Sequence, residues 1–379
     1  MTRALFCLRA FLSAALLFGA GTAAAVDGVV EINHASVTAA GGYPAVISVS
    51  GSYRLTGNLT APSGKNGIDV SANNVQIDLN GFTIEGFSFG PLVHGISAST
   101  GFGLSVRNGT IRNFGGGGAG IDAGGSSKIV DVKLVDNTIG VRASDCLIDS
   151  SLVVGSGSPG AIVADGCTIQ NNVVTGTSDG IAIRGAGNVI IGNRLSGNEG
   201  GAIGITGFGG SLIQNNVLVG NGNVGITDGT AGPPPTEPPL SVHQVVIIGN
   251  TFGEYPFFGS AIRLSIPALI ADNSFTNIDG SAIVCGVACV VRSNSFTRSG
   301  DSDTPSVRVG QGSSVTDNAF SFGGPLMLPL TASYSRNTFN DNLWTSGPLD
   351  VVAEPPGAHP TSGLQNLCSG VLGPAPTCP

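Results

Sequence analysis

One pattern limits the folds open to this chain more than any other. An apolar residue, two free positions, an Asn, one free position and a second apolar residue recur along its second half. The pattern reads Ile169-x-x-Asn172-x-Val174, Ile190-x-x-Asn193-x-Leu195, Ile213-x-x-Asn216-x-Leu218 and Ile247-x-x-Asn250-x-Phe252, and continues through Asn273, Asn294, Asn318 and Asn337. The Asn-to-Asn steps are 21, 23, 34, 23, 21, 24 and 19 residues. A period near 22 with one long step is the signature of a solenoid, in which each repeat buries its apolar face only against its neighbours. Asn tolerates left-handed backbone angles better than other residues with a side chain, so the pattern places a tight bend at each Asn between two short strands. Stacking then sets each amide above the next, where the amides can hydrogen-bond along the stack.

A second motif locates another strand in each repeat: a small residue followed by an alternating apolar stretch. It appears as Gly67-Ile68-Asp69-Val70, Gly95-Ile96-Ser97-Ala98, Gly120-Ile121-Asp122-Ala123 and Gly140-Val141-Arg142-Ala143, and continues to Leu326-Met327-Leu328. About twelve coils follow, each with a first strand, a turn, a second strand, the Asn bend and a third strand. The early coils have Asn80, Gly109, Val132 and Ser151 at the bend. Composition agrees. Gly is 60 of 379 residues and charged residues are 11%, against roughly 25% in ordinary domains. A net charge of -8 argues against a nucleic-acid-binding surface.

Residues 1–25 read as a secretory signal: Arg3 and Arg9 precede the apolar run Ala10 to Ala20, and Ala23, Ala24 and Ala25 supply the small cleavage-site residues. That run is too short to span a bilayer, and no other run is long enough, so the mature chain is expected to be secreted or periplasmic. Residues 26–66 are expected to be an N-terminal cap, 67–342 the coils and 343–379 a Pro-rich C-terminal cap or tail. Removing the signal leaves six of the seven Cys in an oxidising compartment. Local spacing suggests disulfides Cys146–Cys167, Cys285–Cys289 and Cys368–Cys378. The sequence does not fix the pairing, and Cys146 and Cys167 can equally be buried thiols stacked one coil apart.

Three strands per coil, a period near 22 and an Asn bend together resemble the right-handed parallel β-helix of the pectate-lyase-like superfamily. The run Asn74-Val-Gln-Ile-Asp-Leu-Asn-Gly-Phe-Thr-Ile84, with Gly51-Ser-Tyr-Arg-Leu-Thr56 upstream, is similar to the N-terminal part of secreted bacterial β-helix repeat proteins, many of which have no assigned activity. The fold class is therefore all-β, a right-handed parallel β-helix with an Asn ladder. The resemblance implies a substrate along the first-strand face, between the turns at its two edges. It implies a role outside the cytoplasm in binding or processing a polysaccharide, lyase-like or epimerase-like in chemistry. The alternative is a non-catalytic structural or surface-interaction rod.

Two columns on the first strands give opposite charges in consecutive coils: Asp122 with Arg142, and Asp165 with Arg184. Asp179 lies two residues before its anchor Ile181, and His94 holds that place earlier in the chain. These residues suit a polar groove in which Arg clamps or deprotonates a sugar acid and Asp serves as acid or calcium ligand. They equally suit plain cross-coil ion pairs on an exposed sheet. Phe87 and Phe89 in one loop, and Tyr255, Phe257 and Phe258 in another, are candidates to stack on sugar rings, or to pack their own loops down. No cofactor is expected. Calcium remains chemically open, but its only motif is a single nonapeptide-like start, Gly117-Gly-Ala-Gly-Ile-Asp122. The Gly-His-Gly of polygalacturonases and the Asp-Pro-His-Asp of mannuronan epimerases are absent.

Overall fold

The computed structural model of the chain describes residues 28–87, 91–206, 210–229, 245–255, 259–300, 304–324, 326–329, 332–340, 351–354, 361–362 and 367–369. The segment read as a signal lies outside them. The described chain is a parallel β-solenoid with one short helix, His34–Ala39, capped by Asn33. All first strands form one 14-stranded parallel sheet, from Ala45–Ile47 at one end to Val351–Glu354 at the other. Second and third strands stack in two parallel ladders that wrap the rest of the rod. Strands Ser105–Arg112 and Lys128–Val135 run unbroken through the bend, where Gly109 and Val132 replace Asn.

The twelve coils read from the sequence are present, with one further coil at each end. Ala45–Ile47, Gly51–Leu55 and Leu59–Thr60 pair in parallel with the coil at Ile68–Val70, so they belong to the stack and the cap proper is Val29–Ile32 with the helix. At the other end Val351–Glu354, Thr361–Ser362 and Leu367–Ser369 add a coil beyond Leu326–Pro329.

Interior columns match the expected register. Ile162, Ile181, Ile203 and Ile226 face one another on consecutive first strands and are buried. Phe252, Phe275, Phe296, Phe320 and Phe339 stack with centroids 4.6–4.9 Å apart and planes within 8°. Coil spacing and ring spacing are then the same length, so each ring covers the next. The small residue before each first strand has a steric cause: a Cβ at Gly67, Gly95 or Gly180 would approach the carbonyl oxygen of the next coil to 2.6, 2.5 or 2.2 Å.

The ladder works differently from the expectation on one point. The left-handed residue is the one before each ladder Asn: φ is 53–60° at Asn171, Asn215, Asp272, Ser293, Asp317 and Arg336, and 66° and 68° at Gly192 and Gly249. The ladder Asn instead turns inward and is buried. The Asn216 N–H and Nδ2–H both donate to Asn250 Oδ1, at 2.9 and 3.0 Å, and Nδ2 also donates to the Ile190 carbonyl at 2.9 Å. The same bonds run from Asn172 to Asn337, and Ser151 extends the chain by donating its N–H to Asn172 Oδ1. Every polar atom of a buried amide is thereby satisfied.

Disulfides join Cys146 to Cys167 on adjacent coils, with Cα atoms 4.5 Å apart, and Cys285 to Cys289 within one turn. Cys378 lies outside the described residues, and so does the pairing of Cys368 with it.

Candidate functional site on the first-strand sheet

Outward-facing residues of the first sheet form columns along the rod. One column runs Asp69, Ser97, Asp122, Arg142, Val163, Ala182, with each neighbour directly opposite the last. Its polar stretch brings Asp69, His94, Asp122 and Arg142 together on this face. Arg142 Nη1 lies 3.6 Å from Asp122 Oδ2, and His94 Nε2 lies 3.5 Å from the same oxygen. His94 and Asp122 are 7% and 9% exposed, while a third of the Arg142 side chain meets solvent. Asn66 closes the set: its Nδ2 donates to Asp69 Oδ1 and its Oδ1 accepts the His94 N–H, both at 2.7 Å.

The ring orientation of His94 follows from a backbone contact. The Ala119 N–H donates to His94 Nδ1 at 3.0 Å, so in the neutral ring the proton sits on Nε2, facing Asp122. Ala119 is delivered by the Gly115–Gly118 turn, which only Gly permits: a Cβ on Gly118 would fall 1.7 Å from the Val93 carbonyl oxygen. Burial pushes the His94 pKa below its ordinary value. Asp122 acts against the shift, Arg142 adds to it, and Asp69 opposes it.

The sequence-derived candidates separate into two groups. His94, Asp122 and Arg142 converge. Asp165 and Arg184 are register partners further along, but among the described residues no ion pair within 4.0 Å joins them, and both are exposed. Asp179 Oδ1 accepts the Gly201 N–H at 3.3 Å, which ties it to the next coil. Phe87 is 52% exposed in the turn before strand Ile96–Ala98. Phe89, Phe257 and Phe258 lie outside the described residues.

Tyr255 corrects the sequence reading. Its strand, Thr251–Tyr255, continues past Glu254 at φ 59°, which swings the next side chain to the interior. There Tyr255 is 1% exposed, aligned with Ile278, and burial drives its phenol pKa well up. It therefore cannot stack on a ligand. Two more exposed apolar residues border the candidate site. Leu92 and Phe102, 59% and 53% exposed, flank strand Ile96–Ala98 from the turns before and after it. Nothing in their spacing distinguishes them from loop residues that fold down. Among the described residues no group of three or more His, Cys, Asp or Glu side chains is arranged to hold a metal ion.

The family model for the right handed beta helix region matches residues 141–347, more than half of the chain. This chain belongs to the right-handed beta helix family. No curated protein matches it in sequence. Among solved structures, this beta helix protein is similar to a tailspike protein of E. coli bacteriophage HK620 in complex with a pentasaccharide. The TM-score is 0.52 at 13% identity, covering 81% of this chain and 66% of the tailspike, just under two thirds of its length. Similarity extends to the mannuronan C-5 epimerase AlgE6 A-module of Azotobacter vinelandii, at TM-score 0.38 and 13% identity over 89% of this chain and 92% of that one. A third is PfbA, a surface adhesin of Streptococcus pneumoniae, at TM-score 0.39 and 14% identity over 81% and 85%. At 13% identity the likeness to the tailspike shows the beta helix fold alone. Among the described residues no helix is long and apolar enough to cross a membrane.

Proposed function

We propose that this beta helix protein is exported and acts on a polysaccharide laid along its first-strand sheet, with the reacting sugar over Asp122. One observation carries the reading: an imidazole, a guanidinium and a carboxylate converge at 3.5–3.6 Å on the first-strand sheet, bordered by exposed Phe87, Leu92 and Phe102. An extended glycan needs a long, open groove with apolar rims for its ring faces and a few polar groups to orient it. The outward column supplies the polar groups and the two flanking turns supply the rims. Asp122 is the acid–base carboxylate. Arg142 holds the substrate beside it, His94 orients it, and Arg184, Asp165 and Asp179 serve sugars further along. The HK620 tailspike, crystallised with a pentasaccharide, is a precedent for a glycan on this fold. Two disulfides support an oxidising compartment.

The test is incubation with neutral and uronate-containing glycans, scoring unsaturated products, new reducing ends and bare retention separately. Turnover that Arg142→Ala abolishes, with the melting temperature intact, is the expected result. Arg142 is about a third exposed while Asp122 is buried and keeps His94 beside it, so melting temperature is read alongside turnover to separate a fold effect from a site effect. Retention without any product at any time would favour the alternative of a non-catalytic surface-interaction rod.

A further inference from the structure

Asp69 pairs with no opposite charge in the sequence pattern, yet it shares its outward column with Asp122. The two are separated by one strand, whose residue in that column is Ser97. Parallel strands lie ~4.8 Å apart, so the backbones that carry the two carboxylates stand about 9–10 Å from one another along the rod. That span is too wide for one carboxyl to attack a sugar carbon directly while the other protonates the leaving oxygen, which takes roughly 5–5.5 Å. It falls close to the roughly 6.5–9.5 Å of pairs that leave room for a water. Ser97 is the smallest side chain in this part of the column, so the gap between the carboxylates is not filled from below.

The rest of the cluster is arranged around that gap. Asn66 fixes Asp69 Oδ1 and links it to the His94 backbone, and among the described residues Asp69 Oδ2 has no hydrogen-bond donor. The His94 side chain is 9% exposed, and its Nε2 reaches Asp122 only at 3.5 Å, outside hydrogen-bond geometry. The Nε2 proton is aimed at Asp122, and at 3.5 Å the two groups stand side by side rather than bonded. Asp122 faces donors on both sides, Arg142 Nη1 and His94 Nε2.

We infer that Asp122 and Asp69 are the base and the acid of a glycoside-hydrolysing site that inverts the anomeric carbon of an uncharged sugar, an inference that rests on this face being a glycan-processing site. Asp122 takes a proton from water as the water oxygen bonds to the anomeric carbon. The bond from that carbon to the glycosidic oxygen breaks, and the oxygen takes the proton of Asp69. One water is consumed and no other reactant is required. The uncharged sugar follows from the charges present. The guanidinium of the cluster already faces Asp122, and a uronate carboxylate in the gap would meet the negative charge of the base Asp122 with no free cation among the described residues of the cluster to offset it.

The full-length protein is incubated with neutral and uronate oligosaccharides, and new reducing ends are followed by proton NMR before mutarotation. The expected result is the inverted anomer first, on a neutral glycan. Asp69→Asn and Asp122→Asn are each expected to slow turnover about a hundredfold or more, while Asp149→Asn, on the second-strand face, leaves the rate unchanged. Ser97→Val gives an independent reading: it leaves both carboxylates in place, fills the gap and blocks turnover. A retained anomer, an unsaturated product, a uronate preference, or full activity in Asp69→Asn or Ser97→Val overturns the inference and leaves glycan processing at this face standing. No product and no retention with any glycan overturns both.

Discussion

His94 is the residue in which burial, hydrogen bonding and charge act most directly on one another. Its folded pKa lies below the ordinary 6.5 because burial penalises the imidazolium. Between those two values the unfolded chain binds a proton that the folded chain does not. The His94 contribution is therefore complete above pH 6.5 and is lost as pH falls below it, by at most about 1.4 kcal/mol per pH unit for one proton. Melting temperature is expected to hold from pH 8 to 7 and to drop below 6.5, and His94→Gln is expected to remove part of that drop. Parallel curves for parent and variant would show that His94 is not the group involved. The Asn ladder gives a second residue-scale test. Asn216→Ala strips the acceptor from the Asn193 N–H and Nδ2–H, which sit 2.8 and 3.0 Å away and are buried, and is expected to cost roughly 2–5 kcal/mol. Asn215→Gly keeps a left-handed residue at φ 53° and is expected to cost less than about 1 kcal/mol. Denaturant titration of both variants checks the order. The repeat made the ladder plain in the sequence, but not which of two neighbouring residues takes the bend. In Asn171-Asn172 and Asn215-Asn216 both positions are Asn, and only backbone geometry distinguishes them.

At the scale of strands and turns, legibility follows periodicity. The first-strand motif predicted register well enough that Asp122 meets Arg142 and Asp165 meets Arg184 across the sheet. The Phe column was legible for the same reason. A second ladder is less legible, although its signal is present. Thr177, Asn198 and Asn221 follow Val174, Leu195 and Leu218 by three residues, and the Asn198 Nδ2–H donates to Asn221 Oδ1 at 2.8 Å. Its run is short, so it lacks the repetition that exposed the first. Asn66, Asp69 and His94 were also hard to group, because they stand 28 and 25 residues apart on coils with irregular bends. The Cys146–Cys167 bridge closes a 21-residue span between adjacent coils. The paired Ala variant is expected to lose about 3 kcal/mol. Peptide mapping without reductant checks the link itself, and recovery of either Cys joined to Cys285 or Cys289 would contradict the coil register.

For the whole molecule, the fold supplies one long flat face and one continuous core, and the candidate site occupies only a few coils near the N-terminal end. The central claim is that a glycan lies on the first-strand face over Asp122, between the flanking turns. Hydroxyl-radical footprinting with and without a captured glycan measures this directly, because Phe87, Leu92 and Phe102 are each more than half exposed and border that face. Phe322 and Val173, at 45% and 38% exposure, sit in other parts of the rod and serve as internal controls. The account predicts that glycan shields Phe87, Leu92 and Phe102 and leaves Phe322 and Val173 as reactive as before. Shielding confined to Phe322 or Val173, with the first three unchanged, would contradict it.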